Sequence, residues 1–230
     1  MQIAFLLTGL AALGSVAVYA QTDVAANLLG AFTGTSTIDV NGITQSPSNA
    51  AGGLLEVRHI VKPWFGYEGT YSFNRANQDF SSSTYAVCGV CSAGTTWTPV
   101  SADAHQVTGD WVASMKIGNL RPFALAGGGF LFVVPTSGQV TRTTLITGCG
   151  GGNPGCVVGT TTTSTTTTTS TTKPVFVYGA GVDWGLLPHL GLRLQYRGNL
   201  YKAPDLVTGF TSTNALTHTA EPMIGIYLRL

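Results

Sequence analysis

The stretch LTHTAEPMIGIYLRL, residues 216–230, decides the fold. Leu230, Leu228, Ile226, Ile224 and Pro222 fall on one face, and Arg229, Tyr227, Gly225, Met223 and Glu221 on the other. Strict alternation is the period of a strand and not of a helix. Chain ends usually fray and carry polar residues. A strand that runs apolar to its last residue is expected to bury that end or place it in lipid.

Seven further alternating segments precede it, at about residues 27–37, 51–61, 65–74, 105–117, 122–134, 175–184 and 191–202. Their lengths suit tilted strands crossing a bilayer. The connections alternate in length. Lys62-Pro63-Trp64, Gly118-Asn119-Leu120-Arg121 and Leu187-Pro188-His189-Leu190 are short, whereas about 38–50, 75–104, 135–174 and 203–216 are long. An even strand number with short turns on one rim and long loops on the other predicts an eight-stranded antiparallel up-and-down transmembrane β-barrel.

The two faces differ consistently. Phe65, Tyr67, Tyr71 and Phe73 oppose Glu68, Thr70, Ser72 and Asn74. Val107, Trp111, Ala113, Met115 and Ile117 oppose Gln106, Thr108, Asp110, Ser114 and Lys116. Phe176, Tyr178, Ala180, Val182 and Trp184 oppose Asp183 and two glycines, and Leu192, Leu194, Tyr196 and Leu200 oppose Arg193, Gln195, Arg197 and Asn199. A water-soluble barrel or sandwich would bury the apolar face. The apolar faces here are large and aromatic, as at membrane interfaces, and the polar faces are rich in glycine and poor in charge. The expectation is therefore apolar side out.

Composition agrees. Charged residues are 9% of the 230, against about 25% in soluble domains, and mean hydropathy is positive. No segment after residue 20 resembles a spanning helix; the run Pro122–Pro135 is short and carries Gly127, Gly128 and Gly129. A net charge of +1 and the lack of any Lys/Arg cluster argue against nucleic acid as a partner.

Residues 1–20 read as a signal peptide, with an apolar core from Ile3 to Val18 and a small-x-small site, Val18-Tyr19-Ala20, before Gln21. A membrane anchor is the alternative, disfavoured by Gly9, Gly14 and the short span. Residues 21–230 are then one barrel domain. Export implies an oxidising compartment, where disulfides Cys88–Cys91 and Cys149–Cys156 are the default among the possible pairings. The Cys88/Cys91 spacing also fits a redox motif or half a zinc site, but no His accompanies either pair in sequence. No metal or cofactor is expected.

With lipid outside, the lumen collects Glu56, Arg58, Glu68, Asp110, Lys116, Asp183, Arg193, Arg197, Glu221 and Arg229, five acids and five bases. Eight strands leave an interior only wide enough for side chains. Buried charges are costly unless paired, so equal numbers predict a salt-bridged plug. A porin-like channel would need an excess of one sign at its constriction. An esterase or acyltransferase acting on lipid A would need a Ser–His–acid set. His59, His105 and His218 fall near strand ends on the apolar face, His189 lies in a turn, and none has a Ser two residues away. No catalytic residue is therefore expected.

Loop 135–174 holds Cys149-Gly-Gly-Gly-Asn-Pro-Gly-Cys156 and then Thr160–Thr172, which is all Thr or Ser. Such sequence is β-prone but low in complexity. A mobile loop is the default expectation; a two-strand extension beyond the membrane and O-glycosylation are the alternatives.

The strand pair around Trp64-Phe65-Gly66-Tyr67-Glu68-Gly69, the run Arg121-Pro122-Phe123-Ala124 with its glycines, and Gly191-Leu192-Arg193-Leu194-Gln195-Tyr196-Arg197-Gly198 resemble small outer-membrane β-barrel proteins of the OmpA-like superfamily. The ending Ile224, Ile226, Leu228, Leu230 resembles the signal read by the barrel assembly machinery, with Leu where Phe or Trp is usual. The resemblance implies periplasmic turns, surface loops, residence in the outer membrane of a Gram-negative bacterium, and partnership with its lipid and assembly machinery. It carries over no catalytic residues, no cell-wall-binding domain and no surface ligand.

Overall fold

The computed structural model describes residues 21–38, 43–85, 92–147, 160–208 and 214–230. Residues 1–20 and all four cysteines lie outside them. The described chain is all β: β1 (Gln21–Thr33), β2 (Ser36–Ile38), β3 (Ile43–Pro47), β4 (Ala50–Lys62), β5 (Phe65–Tyr85), β6 (Ser92–Trp97), β7 (Val100–Ser114), β8 (Leu120–Pro135), β9 (Gln139–Thr147), β10 (Thr160–Thr167), β11 (Thr171–Gly185), β12 (Leu190–Lys202) and β13 (Leu216–Arg229).

Eight of these, β1, β4, β5, β7, β8, β11, β12 and β13, pair antiparallel with their neighbours around a closed ring. The first and last strands close it, with Asp23 opposite Arg229 and Leu29 opposite Met223. Closure removes the free edges that an open sheet would expose to lipid. The expected barrel is thus present, though its strands start earlier or run longer than alternation alone suggests. β1 begins at Gln21, and β5 is 21 residues long.

The apolar side faces out. Leu28, Leu55, Trp111, Leu194, Ile224 and Ile226 are each more than half exposed. Aromatic side chains gather towards both ends of this surface. Trp64, Phe65 and Trp111 cluster near the short turns, with Phe65 and Trp111 stacked at a centroid distance of 5.4 Å. Towards the long loops, Tyr71 bonds His105 Nδ1 at 2.8 Å and Tyr178 bonds His218 Nε2 at 2.9 Å. Two aromatic girdles around an apolar band are what a lipid bilayer selects on a barrel. The second short connection is also well defined. Ile117 and Leu120 exchange backbone hydrogen bonds of 2.8 and 3.0 Å, and Gly118 sits at φ +60°, a conformation open to glycine at the first central position of a type II′ turn.

At the other end the sheet continues past the apolar band. The upper half of β5 pairs with β3 and β6, β6 pairs with β9, and β9 with β10. Thr160–Thr167, expected by default to be mobile, is therefore a strand. β-Branched threonine fits a pleated ladder, and here Thr163 meets Thr143 and Thr165 meets Thr141 across the β9–β10 pair. The inner face of this extension holds an apolar cluster that includes Phe80, Val100, Val133 and Val140. Leu206 and Val207, between β12 and β13, complete it and are at most 2% exposed. Their segment is tethered by Gln45 Nε2 donating to Pro204 O at 3.1 Å, by Lys173 and Asp205 at 2.9 Å, and by Thr169 N donating to Leu206 O at 3.0 Å.

Candidate functional site

The lumen is built in layers, because alternate residues of every strand point into it. Its centre is an ion-pair cluster. β4 supplies Glu56 and Arg58, β5 Glu68, β11 Asp183 and β12 Arg193. Arg58 Nε donates to Glu68 Oε2 at 2.8 Å, and its Nη2 lies 3.0 Å from Glu56 Oε1. Arg193 holds both oxygens of Asp183, Nε to Oδ1 at 2.6 Å and Nη2 to Oδ2 at 2.9 Å, and its Nη1 pairs with Glu56. Arg58 Nη1 reaches Asp183 Oδ2 at 3.4 Å and joins the two halves. Both guanidinium groups are fully buried. Phe123 lies under Arg58 at 3.9 Å, and Tyr227 faces Arg193 at 5.3 Å. Gly191 makes room for Tyr227, since a Cβ there would stand 2.4 Å from the ring.

One layer towards the long loops, Arg197 donates to Thr70 at 3.0 Å, Thr108 at 2.9 Å and Asp110 at 3.2 Å. Glu221 stands opposite Arg197 in the β12–β13 register, and one of its buried oxygens has no hydrogen-bond partner. A cavity of about 40 Å³ adjoins it, lined in part by Gln106, Asn199 and Tyr201. That volume holds a few waters and no larger solute. Above it lies the apolar cluster around Leu206.

The sequence-derived lumen set divides as follows. Glu56, Arg58, Glu68, Asp183 and Arg193 form the central cluster, and Arg197 and Asp110 form the next layer. Glu221 is buried beside them. Arg229 lies near the short turns, where its Nε is 3.8 Å from Asp23. Lys116 is exposed and apart from the cluster; β7 ends at Ser114, so strand parity no longer directs its side chain. Asp23 and Arg121 were missed. Asp23 is 1% exposed and faces Arg121 Nη1 at 3.8 Å. Alternation before Asn27 is weak, and Arg121 reads as part of a turn. Apolar lumen residues were also missed: Val112, Leu125 and Val177 pack together inside the barrel. Ile224, Ile226, Leu228 and Leu230 all face outwards and are at least half exposed. Among the described residues no group of three His, Cys, Asp or Glu side chains is close enough to hold a metal ion.

A closed barrel with an apolar girdle and a polar interior is the architecture of an outer-membrane protein, and the model of the outer membrane protein beta-barrel domain family matches residues 5–220. The chain belongs to this family. Members of the outer membrane protein beta-barrel domain family are proteins of the Gram-negative outer membrane. No curated protein matches the chain. Among solved structures, the attachment invasion locus protein Ail of Yersinia pestis is 12% identical, with 93% of this chain and 100% of that chain covered and a TM-score of 0.44. Neisserial surface protein A is 10% identical over 90% and 96%, with a TM-score of 0.46. The outer membrane protein OprG of Pseudomonas aeruginosa is 10% identical over 91% and 95%, with a TM-score of 0.49.

Proposed function

We propose that this protein is a non-enzymatic, non-conducting component of the outer membrane with a structural or surface-interaction role. The observation that carries the reading is the double closure of the lumen. Arg58 and Arg193 are locked to Glu56, Glu68 and Asp183 across the barrel centre, and Leu206 and Val207 seal the long-loop end. A conduction path needs a continuous opening whose lining groups can bind an ion and release it. These guanidinium groups are fully buried and already committed to fixed carboxylates. The four described histidines support the absence of catalysis. Their hydrogen-bond partners are Thr22, Tyr71, Tyr178 and the backbone of Arg229, with no carboxylate among them.

In this reading the short turns face the periplasm, residues 1–20 are removed at Ala20, and Cys88–Cys91 and Cys149–Cys156 form local disulfides on the outer rim. Outer-membrane lipid and the barrel assembly machinery are its partners. The exposed extension built on β3, β5, β6, β9 and β10 would carry whatever surface contact the protein makes. Planar-bilayer recording tests the closed lumen: only baseline current is expected, and a stable large conductance would refute it. Mass spectrometry of lipid A from expressing cells is expected to show no change; a deacylated or acyl-shifted species would make the protein an enzyme instead.

A further inference from the structure

At the short-turn end, the turn after β7 and the turn between β11 and β12 enclose a basin of about 290 Å³. Gly185 N donates to Asn119 O at 2.9 Å and ties the two turns together. Lys116, Arg121 and Arg229 line the basin beside Tyr227. Asp23 is the acid the two arginines share, at 3.8 Å from each. That separation is too long for a hydrogen bond. Arg121 Nε and Nη1 and Arg229 Nε are buried and have no hydrogen-bond partner. Arg121 Nη2 alone is satisfied, by Gln21 Oε1 at 3.1 Å.

Three cationic side chains and one carboxylate side chain surround an open space. Guanidinium N–H groups left without acceptors carry a desolvation cost, and an anion in the basin would relieve it once the two side chains turn towards it. This contrasts with the central cluster, where acids outnumber bases. We propose that this basin binds a phosphate-class anion. Two guanidinium forks and an ammonium suit a tetrahedral oxyanion with several acceptor oxygens, and Arg matches phosphate geometry in particular. The Trp64 and Trp111 girdle lies at the same end, so the phosphate could be a lipid headgroup at the membrane surface or a free phosphate in solution.

The test uses the full chain folded in a neutral, phosphate-free maltoside detergent. Inorganic phosphate is titrated at constant ionic strength while the Arg side-chain Nε–H resonances are followed by NMR. A second titration uses short-chain dihexanoyl phosphatidic acid. Saturable shifts of two Arg signals are expected in at least one of them. The variant Arg229→Gln should weaken binding about tenfold, as loss of one charge-assisted contact implies. Lys116→Gln, at an exposed position, should weaken it about twofold to fivefold without affecting the fold. Heat-modifiable gel mobility confirms that each variant is folded. Response to the lipid alone names the headgroup as the source, and response to inorganic phosphate names the free ion. No saturable response to either ligand, or binding unchanged in folded Lys116→Gln and Arg229→Gln proteins, overturns the proposal.

Discussion

Replacing Arg193 with Met removes the central guanidinium while keeping much of its volume. Arg193 makes two contacts with Asp183, at 2.6 and 2.9 Å, and a third with Glu56. Without it, the cation left to Asp183 is Arg58 Nη1 at 3.4 Å, and the cation left to Glu56 is Arg58 Nη2 at 3.0 Å. Glu68 already takes the Nε of the same arginine at 2.8 Å. Three buried carboxylates would then share one guanidinium. Breaking a buried pair by removing one partner costs about 3–5 kcal/mol, which is about 10² to 10⁴ in the folding equilibrium. Replacing a whole ion pair with apolar groups of similar volume is often close to neutral. Arg193→Met with Asp183→Leu should therefore recover most of the loss, since Glu56 and Glu68 would still have Arg58. The assay is equilibrium urea unfolding of protein folded into lipid vesicles, read by Trp fluorescence and heat-modifiable gel mobility. A single variant within about 0.5 kcal/mol of the parent, or a double variant no better than the single, would refute the network as the source of lumen stability.

Leu194→Arg, on the outer face of β12 where Leu194 is 59% exposed, should destabilise the folded barrel by about 2–4 kcal/mol if the site lies near the bilayer midplane; the same unfolding assay measures it. Leu206→Ala should loosen the cap before the barrel. Hydrogen exchange should show the amides of Thr169 and Thr208, bonded to Leu206 O and Thr167 O, losing protection while those of β12 keep theirs. Asp103, beyond the apolar band, is held below the usual carboxylate range of 3.8 by its hydrogen bond from Arg75. A depressed folded-state value means its contribution is present above the unfolded value and lost as pH falls through the folded one. An NMR titration should place its midpoint below 3.8, and Arg75→Gln should raise it; an unshifted midpoint would show that the pair is not formed in solution.

Strand parity was legible in the sequence because a two-residue period assigns each side chain to a face before any partner is known. It placed Arg58, Arg193 and Arg197 inside and Leu194 and Ile226 outside. It did not reveal which acid meets which base, because that depends on register around the whole barrel. Arg58 and Asp183 are 125 positions apart in sequence, and no local pattern links them. Parity also failed where strands ended, as at Lys116, and where a lumen position was apolar, as at Val112. The Thr run was ambiguous for another reason. Its β-propensity is uniform, so pairing rests on the β9 partner, and β9 itself shows no regular alternation. The cap at Leu206 was hidden because it lies in a connection, where no period exists to read.

β5 is hydrogen-bonded along its length, with β4 and β7 in the lower part and β3 and β6 in the upper. At about 3.3 Å per residue its 21 residues reach about 70 Å, from one side of the bilayer to well beyond the other. Such a strand acts as a mechanical spine. A load applied to the outer sheet would travel down it as shear across many parallel hydrogen bonds, and no hinge is set into it at the membrane surface. The outer sheet should therefore tilt with the barrel as one lever, and pulling on it would strain the barrel wall before it bent the stalk.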